Sequence, residues 1–443
     1  LKTTISYKQI WAIAYPIILG SIAQNIINVT DTAFLGRVGQ IELGAGAVAG
    51  LFYYAAAMLG WGYGIGAQII VARRYGESNY DRIGGVIGQS IYFLLPLAIL
   101  MFSVVQLFGG TIFDSIMNSD NISAASTEYI QTRIFGVFFA FFNFLFRAFY
   151  LGIARTKIIT YTTVLMAAVN VTLDYWFIFG GLGLEPMGIR GAALASVIAE
   201  ASAFVCFILV TYFNVPHDKY QLFKLKGFNK KVFTNNIRIA TPMMLQNFIS
   251  IGGWFMFFLM VEHLGEMPLA VSNVVRSVYV VLLIPIMGYS SATNTLVSQV
   301  IGQGKVSEVL AVMYKTVLMC IVSVAGFVIV GFVFPDIILR IYTDDPVIIS
   351  ESVSALYVVC GSATLLGTAF VIFSAVSGTG KTNVSFGIEI VVIVIYLLYV
   401  FVLTNFAKPS ISVVWTSEYI YAISLGGISM IFLLKGKWKN AVV

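Results

Sequence analysis

Five of the chain's 20 acidic side chains fall well inside long apolar stretches, away from their ends, where an ionised carboxylate is out of place: Asp31, Asp174, Glu200, Glu389 and Glu418. Holding such a charge at the centre of a bilayer costs about 2.5–3.5 kcal/mol on insertion scales, so each is a functional candidate. Asp31 ends a polar stripe of Ser21, Gln24 with Asn25, Asn28, then Asp31 with Thr32. The i, i+3/i+4, i+7 spacing sets these on one helix face, which must look inward to protein or water. Asp174 follows Asn170 by four residues, and Thr163 and Ala167 continue that face. Two such helices make a polar pocket suited to a proton or a hard cation; interhelical hydrogen bonding is the bland alternative. For Glu200 the two readings stand level. Glu418 lies nearer the outer end of its stretch and reads as solvated, and Glu389, in the inner half of its helix, has no assignment.

The elements that must position these residues are apolar helices. The 443-residue chain is 59% hydrophobic and 10% charged, against about 25% charged in soluble domains. Apolar segments long enough to span a bilayer lie near 11–36, 44–72, 84–109, 125–151, 158–180 and 189–213, then 236–261, 268–300, 310–334, 349–377, 383–404 and 412–434. The expected fold is an all-α membrane protein of about twelve transmembrane helices, and the first segment does not read as a cleavable leader.

The two sets of six are related. Pro16 and Pro242 stand 226 positions apart, as do Gly39 and Gly265, Gly76 and Gly302, and Gly152 and Gly378. Six helices per half give both halves the same orientation, a parallel repeat of the kind transporters use. This divides the chain into an N-terminal lobe (1–213), a linker (214–235) and a C-terminal lobe (236–443). With both termini on the cytoplasmic side, nineteen Lys and Arg fall at inner ends and four (Arg37, Arg190, Arg340 and Lys408) at outer ones. That asymmetry favours the assigned orientation, and it makes the net charge of +6 a matter of topology, not of nucleic-acid binding.

Other signals are weak. Cys206, Cys320 and Cys360 lie in apolar segments and read as small packing residues. His217 and His263 sit in or near loops with no metal-ligand spacing, which argues against a membrane-embedded enzyme. Gly378-Thr379-Gly380-Lys381-Thr382 imitates the end of a phosphate-binding loop, but Ala375 stands at the first glycine position and an apolar helix precedes it. A helix-ending turn is expected there. Arg276 is expected to pair with Glu262 or Glu266 or to snorkel to the interface.

Several stretches together resemble the multidrug and toxic compound extrusion (MATE) family: Tyr15-Pro16-Ile17-Ile18 through Thr30-Asp31-Thr32-Ala33-Phe34-Leu35-Gly36; Gly66-Ala67-Gln68 with Arg73-Arg74-Tyr75-Gly76; and Asn170-Val171-Thr172-Leu173-Asp174 followed by Gly188-Ile189-Arg190-Gly191-Ala192-Ala193-Leu194-Ala195-Ser196. The resemblance covers essentially the whole chain. It implies export of organic cations or other amphipathic compounds, driven by inward proton or sodium flow. In DinF-like and archaeal members, a cation site in the N-terminal lobe uses residues matching Asp31, Asn170, Asp174 and Ser196, with serine here in place of threonine. The acids that NorM-type members carry on the seventh and tenth helices have no counterpart here, which sets the chain nearer the DinF-like branch. Under the 226-residue offset Asp31 meets Phe257, and Asp174 falls near Tyr399 and Val400, so the acids belong to the first half alone.

The expected function is therefore secondary-active export by alternating access, with no cofactor beyond H+ or Na+ as coupling ion. Gln24, Asn28, Thr32, Glu200 and Gln246 are candidates for lining a substrate cavity, and Pro16 is a candidate hinge. The expected partners are membrane lipids and small organic, cationic substrates, in a bacterial-type inner membrane, for a protein able to act as a monomer. A lipid-linked saccharide flippase of the same superfamily is the nearest alternative; it calls for a basic cavity that the few intramembrane cations do not supply. A channel suits one-sided acids in a pseudosymmetric chain less well.

Overall fold

The computed structural model describes residues 4–181, 183–224, 227–407, 409–436 and 438–439, with the side chain of His217 left aside. Lys2, Lys226, Lys408 and Lys437, counted in the charge asymmetry, lie outside the described residues. Helices run α1 (Tyr7–Val38), α2 (Gln40–Gly76), α3 (Ile83–Ile116), α4 (Asp120–Arg133), α5 (Gly136–Gly152), α6 (Lys157–Phe179), α7 (Gly188–Asn214) and the single turn α8 (His217–Tyr220). The second half follows with α9 (Lys230–Glu262), α10 (Glu266–Gly302), α11 (Val309–Val333), α12 (Pro335–Leu339), α13 (Pro346–Gly378), α14 (Thr382–Val402), α15 (Ile411–Val414) and α16 (Ser417–Lys435). Among the described residues eleven spans are long and apolar enough to cross a membrane, and the bent pair α4–α5, taken as one span, makes a twelfth. Among the described residues there is no strand, only an isolated bridge between Gly181 and Leu184.

The repeat is written into the helix ends. α2 and α10 begin and end 226 residues apart, as do the 3-10 turns Tyr80–Arg82 and Val306–Glu308. Position 119 and its counterpart 345 both start a helix by side-chain capping, though by different residues. Ser119 Oγ accepts from the Ile122 amide at 3.5 Å, while the Asp345 carboxylate accepts from Val347 at 2.8 Å and leads into Pro346. Gly265, before α10, sits at φ 117, in the region where a side chain would be strained.

One departure from the repeat bears on the site. The fourth span bends by 50° between α4 and α5, at Ile134 and Phe135, whereas its counterpart α13 runs unbroken from Pro346 to Gly378. The other stretch singled out for its glycines, Gly378–Thr382, is the expected helix-ending turn: Thr379 N–H bonds back to Ala375 O, and Gly380 takes φ 85 before α14 begins.

The chain forms two compact units. One comprises the described residues of Leu1–Ile18 and Leu245–Val443, the other Leu19–Met244. These units and the two sequence halves are different partitions of the chain, because the opening turns of each half's first helix pack on the other half's second helix. Gly62 of α2 faces the backbone of Met243 and Met244 in α9, and its counterpart Gly288 of α10 faces Ala14 and Ile18 of α1. Both divisions fall two residues beyond a proline, after Pro16 at Ile18 and after Pro242 at Met244.

In the second unit α2 packs against α4 and α5, and α6 lies along α7. Its core gathers residues such as Tyr63, Phe113, Ile130, Phe141 and Ala193, all buried. In the first unit α13 packs against α10, α11 and α16. The three cysteines are free, with Cys320 and Cys360 buried against Gly367 and Gly331.

Candidate functional site

Within the unit Leu19–Met244 the structure gathers Asp31, Asn170, Asp174 and Ser196. The α6–α7 pair supplies three of them. Asn170 and Asp174, one turn apart, are fully buried, Ser196 is nearly so, and Asn170 Nδ2 donates to Ser196 Oγ at 3.3 Å. α1 brings Asp31 to within hydrogen-bonding reach of Asp174 and Asn170. Asp31 Oδ1, both Asp174 carboxyl oxygens and Asn170 Oδ1 are buried and accept nothing from a protein donor. Ionised carboxylates only accept, so Asp31 and Asp174 can bond to one another only through a shared proton or a cation. Oxygen ligands of this kind suit a small hard cation as well as they suit a proton.

The polar stripe on α1 is only partly buried. Ala23 and Ile27 form the buried side, packed on Ala167 and Met166 of α6, while Gln24, Asn28 and Thr32 are exposed. Asp31 stands at the seam, half-buried, because a seven-residue step falls short of two full turns and swings it back toward Ile27. Thr32 Oγ1 bonds to Asn28 O at 2.9 Å and Asn25 Nδ2 to Ser21 O at 3.0 Å, so both partly satisfy themselves along the helix. Gln246 lies in the other unit, with Oε1 buried and unpaired. Pro16 is buried in the continuous helix α1.

Glu200 has a partner that the sequence reading did not give it. Arg133, at the end of α4, donates Nη1 to Oε2 at 2.9 Å and Nη2 to Oε1 at 2.6 Å, and Tyr53 Oη donates to the same carboxylate at 3.0 Å. The available signal was Arg133 itself, a cation inside a span and in need of an acid. Arg147 lies instead over the Trp61 ring at 4.4 Å, and Arg276 over Phe258 at 5.2 Å. No ion pair joins Arg276 to Glu262 or Glu266 among the described residues; of the two expectations the pairing is not seen, and Arg276 is exposed with its guanidinium over an aromatic face.

The first unit corrects the reading of Glu418 as solvated: it is 2% exposed. Tyr279 Oη donates to Oε2 at 2.8 Å and Tyr396 Oη to Oε1 at 3.2 Å, under a cover of Trp415 packed on Phe257. Tyr279, Phe257 and Tyr396 are the repeat counterparts of Tyr53, Asp31 and Asn170. The position that holds acids in the first half thus holds aromatic rings in the second, closed around an acid from the last span. Glu389, unassigned from sequence, is buried and accepts from Ser250 Oγ at 2.6 Å and Tyr421 Oη at 3.0 Å. Tyr279→Phe strips one donor from Glu418 and is expected to destabilise the fold by about 1–3 kcal/mol, read as a lower melting temperature in detergent. Among the described residues no three His, Cys, Asp or Glu side chains converge as a metal cage.

The chain resembles known proteins over nearly its whole length. A protein of Thermotoga maritima described as "Probable multidrug resistance protein NorM" is 24% identical over 441 residues, covering 98% of this chain and 94% of that one. "Probable multidrug resistance protein YoeA" of Bacillus subtilis is 23% identical over 426 residues, covering 93% and 90%. Among solved structures, an outward-facing conformation of a multidrug resistance MATE family transporter of the MOP superfamily matches with a TM-score of 0.90 at 18% identity, covering 98% of this chain and 97% of that one. The family profile named MatE matches twice, over residues 16–176 and 242–402, the same 226-residue offset that the prolines and glycines mark. With both halves matched and the twelve-span fold shared, this multi-pass membrane protein belongs to the MatE family, a family of transporters and not of enzymes.

Proposed function

We propose that the chain is a secondary-active exporter of small organic, cationic or amphipathic compounds, exchanged against inward H+ or Na+. The observation that supports it most is the Asp31–Asp174 pair, in which Asp31 Oδ1 and both Asp174 oxygens are buried with no protein donor and so are open to an arriving cation. Loading that cation would disfavour a bound cationic substrate by charge competition, and the lobes 1–213 and 236–443, joined by the linker 214–235, would alternate access, with Pro16 as hinge. Gln24, Asn28, Thr32 and Gln246 remain the candidates for meeting substrate. The relatives' descriptions as multidrug resistance proteins support the substrate class, and the charge asymmetry supports cytoplasmic termini in a bacterial-type inner membrane.

The test is efflux of a fluorescent organic cation from proteoliposomes under separately imposed proton and sodium gradients. Acceleration by one gradient and not the other is expected and identifies the ion. Folded protein that moves no organic cation under either gradient would remove this reading and leave the saccharide-lipid flippase in its place.

A further inference from the structure

Arg133 sits at the break between α4 and α5 and binds Glu200 through both terminal nitrogens. The pair is fixed from several sides. The guanidinium lies 3.7 Å over the Tyr53 ring, Tyr53 Oη donates to both Glu200 oxygens, and Asn143 Nδ2 holds the Glu200 carbonyl at 2.9 Å. Gly136 is part of the fit, since a Cβ there would collide with both Glu200 Oε2 and Arg133 Nη1. The second half keeps a tyrosine on a buried glutamate, Tyr279 on Glu418, but has no ion pair there. Arg133 corresponds to Val359, Gly136 to Ser362, and the span there is unbroken.

Arg133 also lies within electrostatic range of Asp31 and Asp174. The titratable groups that interact with it electrostatically are Tyr53 from α2, Tyr129 from its own helix, Asp31 from α1, Asp174 from α6 and Glu200 from α7. Three acids feel this one cation, so Glu200 and the Asp31–Asp174 pair compete for a single internal positive charge. In the structure Glu200 has it.

Resting on the function proposed above, we infer that Glu200 and Arg133 are positioning residues for the coupling site: by binding Arg133, Glu200 leaves the Asp31–Asp174 pair dependent on a cation from outside. Were Arg133 free, its fixed charge would screen the two aspartates and weaken their hold on any arriving ion. The break in the fourth span is the backbone feature that aims Arg133 at α7.

The experiment compares the wild type, Glu200→Gln, Arg133→Gln/Glu200→Gln and Arg133→Lys in proteoliposomes, reading the concentration of driving ion that half-saturates efflux. Glu200→Gln releases Arg133 and is expected to raise that concentration about tenfold, the effect of one unit of proton or ion affinity. The double variant removes both charges, leaves the aspartates as dependent on an outside ion as before, and is expected to return the value to near that of the wild type. A merely structural role predicts the opposite order, with the double variant no better than the single. Arg133→Lys keeps the charge but loses the two-pronged grip, and is expected to shift the value the same way by a smaller factor, which gives a reading even if Glu200→Gln does not fold. Unchanged half-saturation in Glu200→Gln and Arg133→Lys overturns the inference, as does a double variant impaired like the single. A wild type indifferent to both gradients refutes the proposed function instead.

Discussion

Asp174→Asn is expected to cut ion-driven efflux about 100-fold or more while leaving the protein at least as stable as the wild type. The two halves of that expectation have one cause. Asp174 is wholly buried and neither of its oxygens accepts a hydrogen bond from protein. A buried acceptor without a donor costs about 1–3 kcal/mol, and more when charged. The asparagine amide is nearly isosteric and brings a donor that can reach the orphaned Asp31 Oδ1. Satisfying that oxygen internally favours the fold and takes away the reason for the site to bind a cation, and two orders of magnitude in rate correspond to only about 2.7 kcal/mol of lost coupling. Efflux rates and melting temperatures on the same preparations check it. A variant that loses transport and also melts well below the wild type would mark Asp174 as a structural residue, and one that keeps gradient-driven efflux would remove it from the coupling step.

Opposite signs for activity and stability are a signature of groups held against their local preference, and this is why the acid site was legible in the sequence. In a soluble chain, Asn170 and Asp174 on one helix face would be an ordinary solvated pair. Inside an apolar span the same spacing has few explanations. The 226-residue offset was legible for a related reason, since prolines, glycines and helix ends recur at fixed distances without an insertion through most of each half. The Arg133–Glu200 pair was not. Its members lie 67 residues apart on α4 and α7, several intramembrane acids competed for the cation, and only the bend at Ile134 and Phe135 decides among them. Glu418 was misjudged because closeness to a span end says nothing about a cover such as Trp415, which is itself fully buried. The partition into compact units was hidden because sequence halves record how the chain repeats, whereas packing exchanges Ala14–Ile18 and Ala240–Met244 between the repeats.

That exchange leads to the largest expected effect on stability. Gly62 and Gly66 lie one turn apart on α2, the small-xxx-small spacing that lets two membrane helices approach backbone to backbone. A Cβ on Gly62 would stand 2.6 Å from Met244 Cα and 2.8 Å from Met243 O, and one on Gly66 would stand 2.5 Å from Ala240 Cα. These are main-chain atoms that cannot rotate away, so Gly62→Val or Gly66→Val must push α9 off α2. Overpacking usually costs about 1–3 kcal/mol, and with backbone as the obstacle the loss is expected at the top of that range. Folded protein recovered from membranes should fall several-fold. The pseudosymmetric glycine supplies the control. A Cβ on Gly288 would stand 2.5 Å from Ile18 Cγ1 and 3.2 Å from Ala14 O, a side chain that can rotate and a carbonyl that need give only slightly. Gly288→Ala is therefore expected to cost less than Gly62→Ala, by a margin visible in size-exclusion profiles after stepwise heating. If the two alanine variants melt together, the close approach of α2 to α9 is not what holds the opening turns of α9 in the second unit, and exchange of the first helices between the repeats must be maintained by the apolar contacts flanking these glycines.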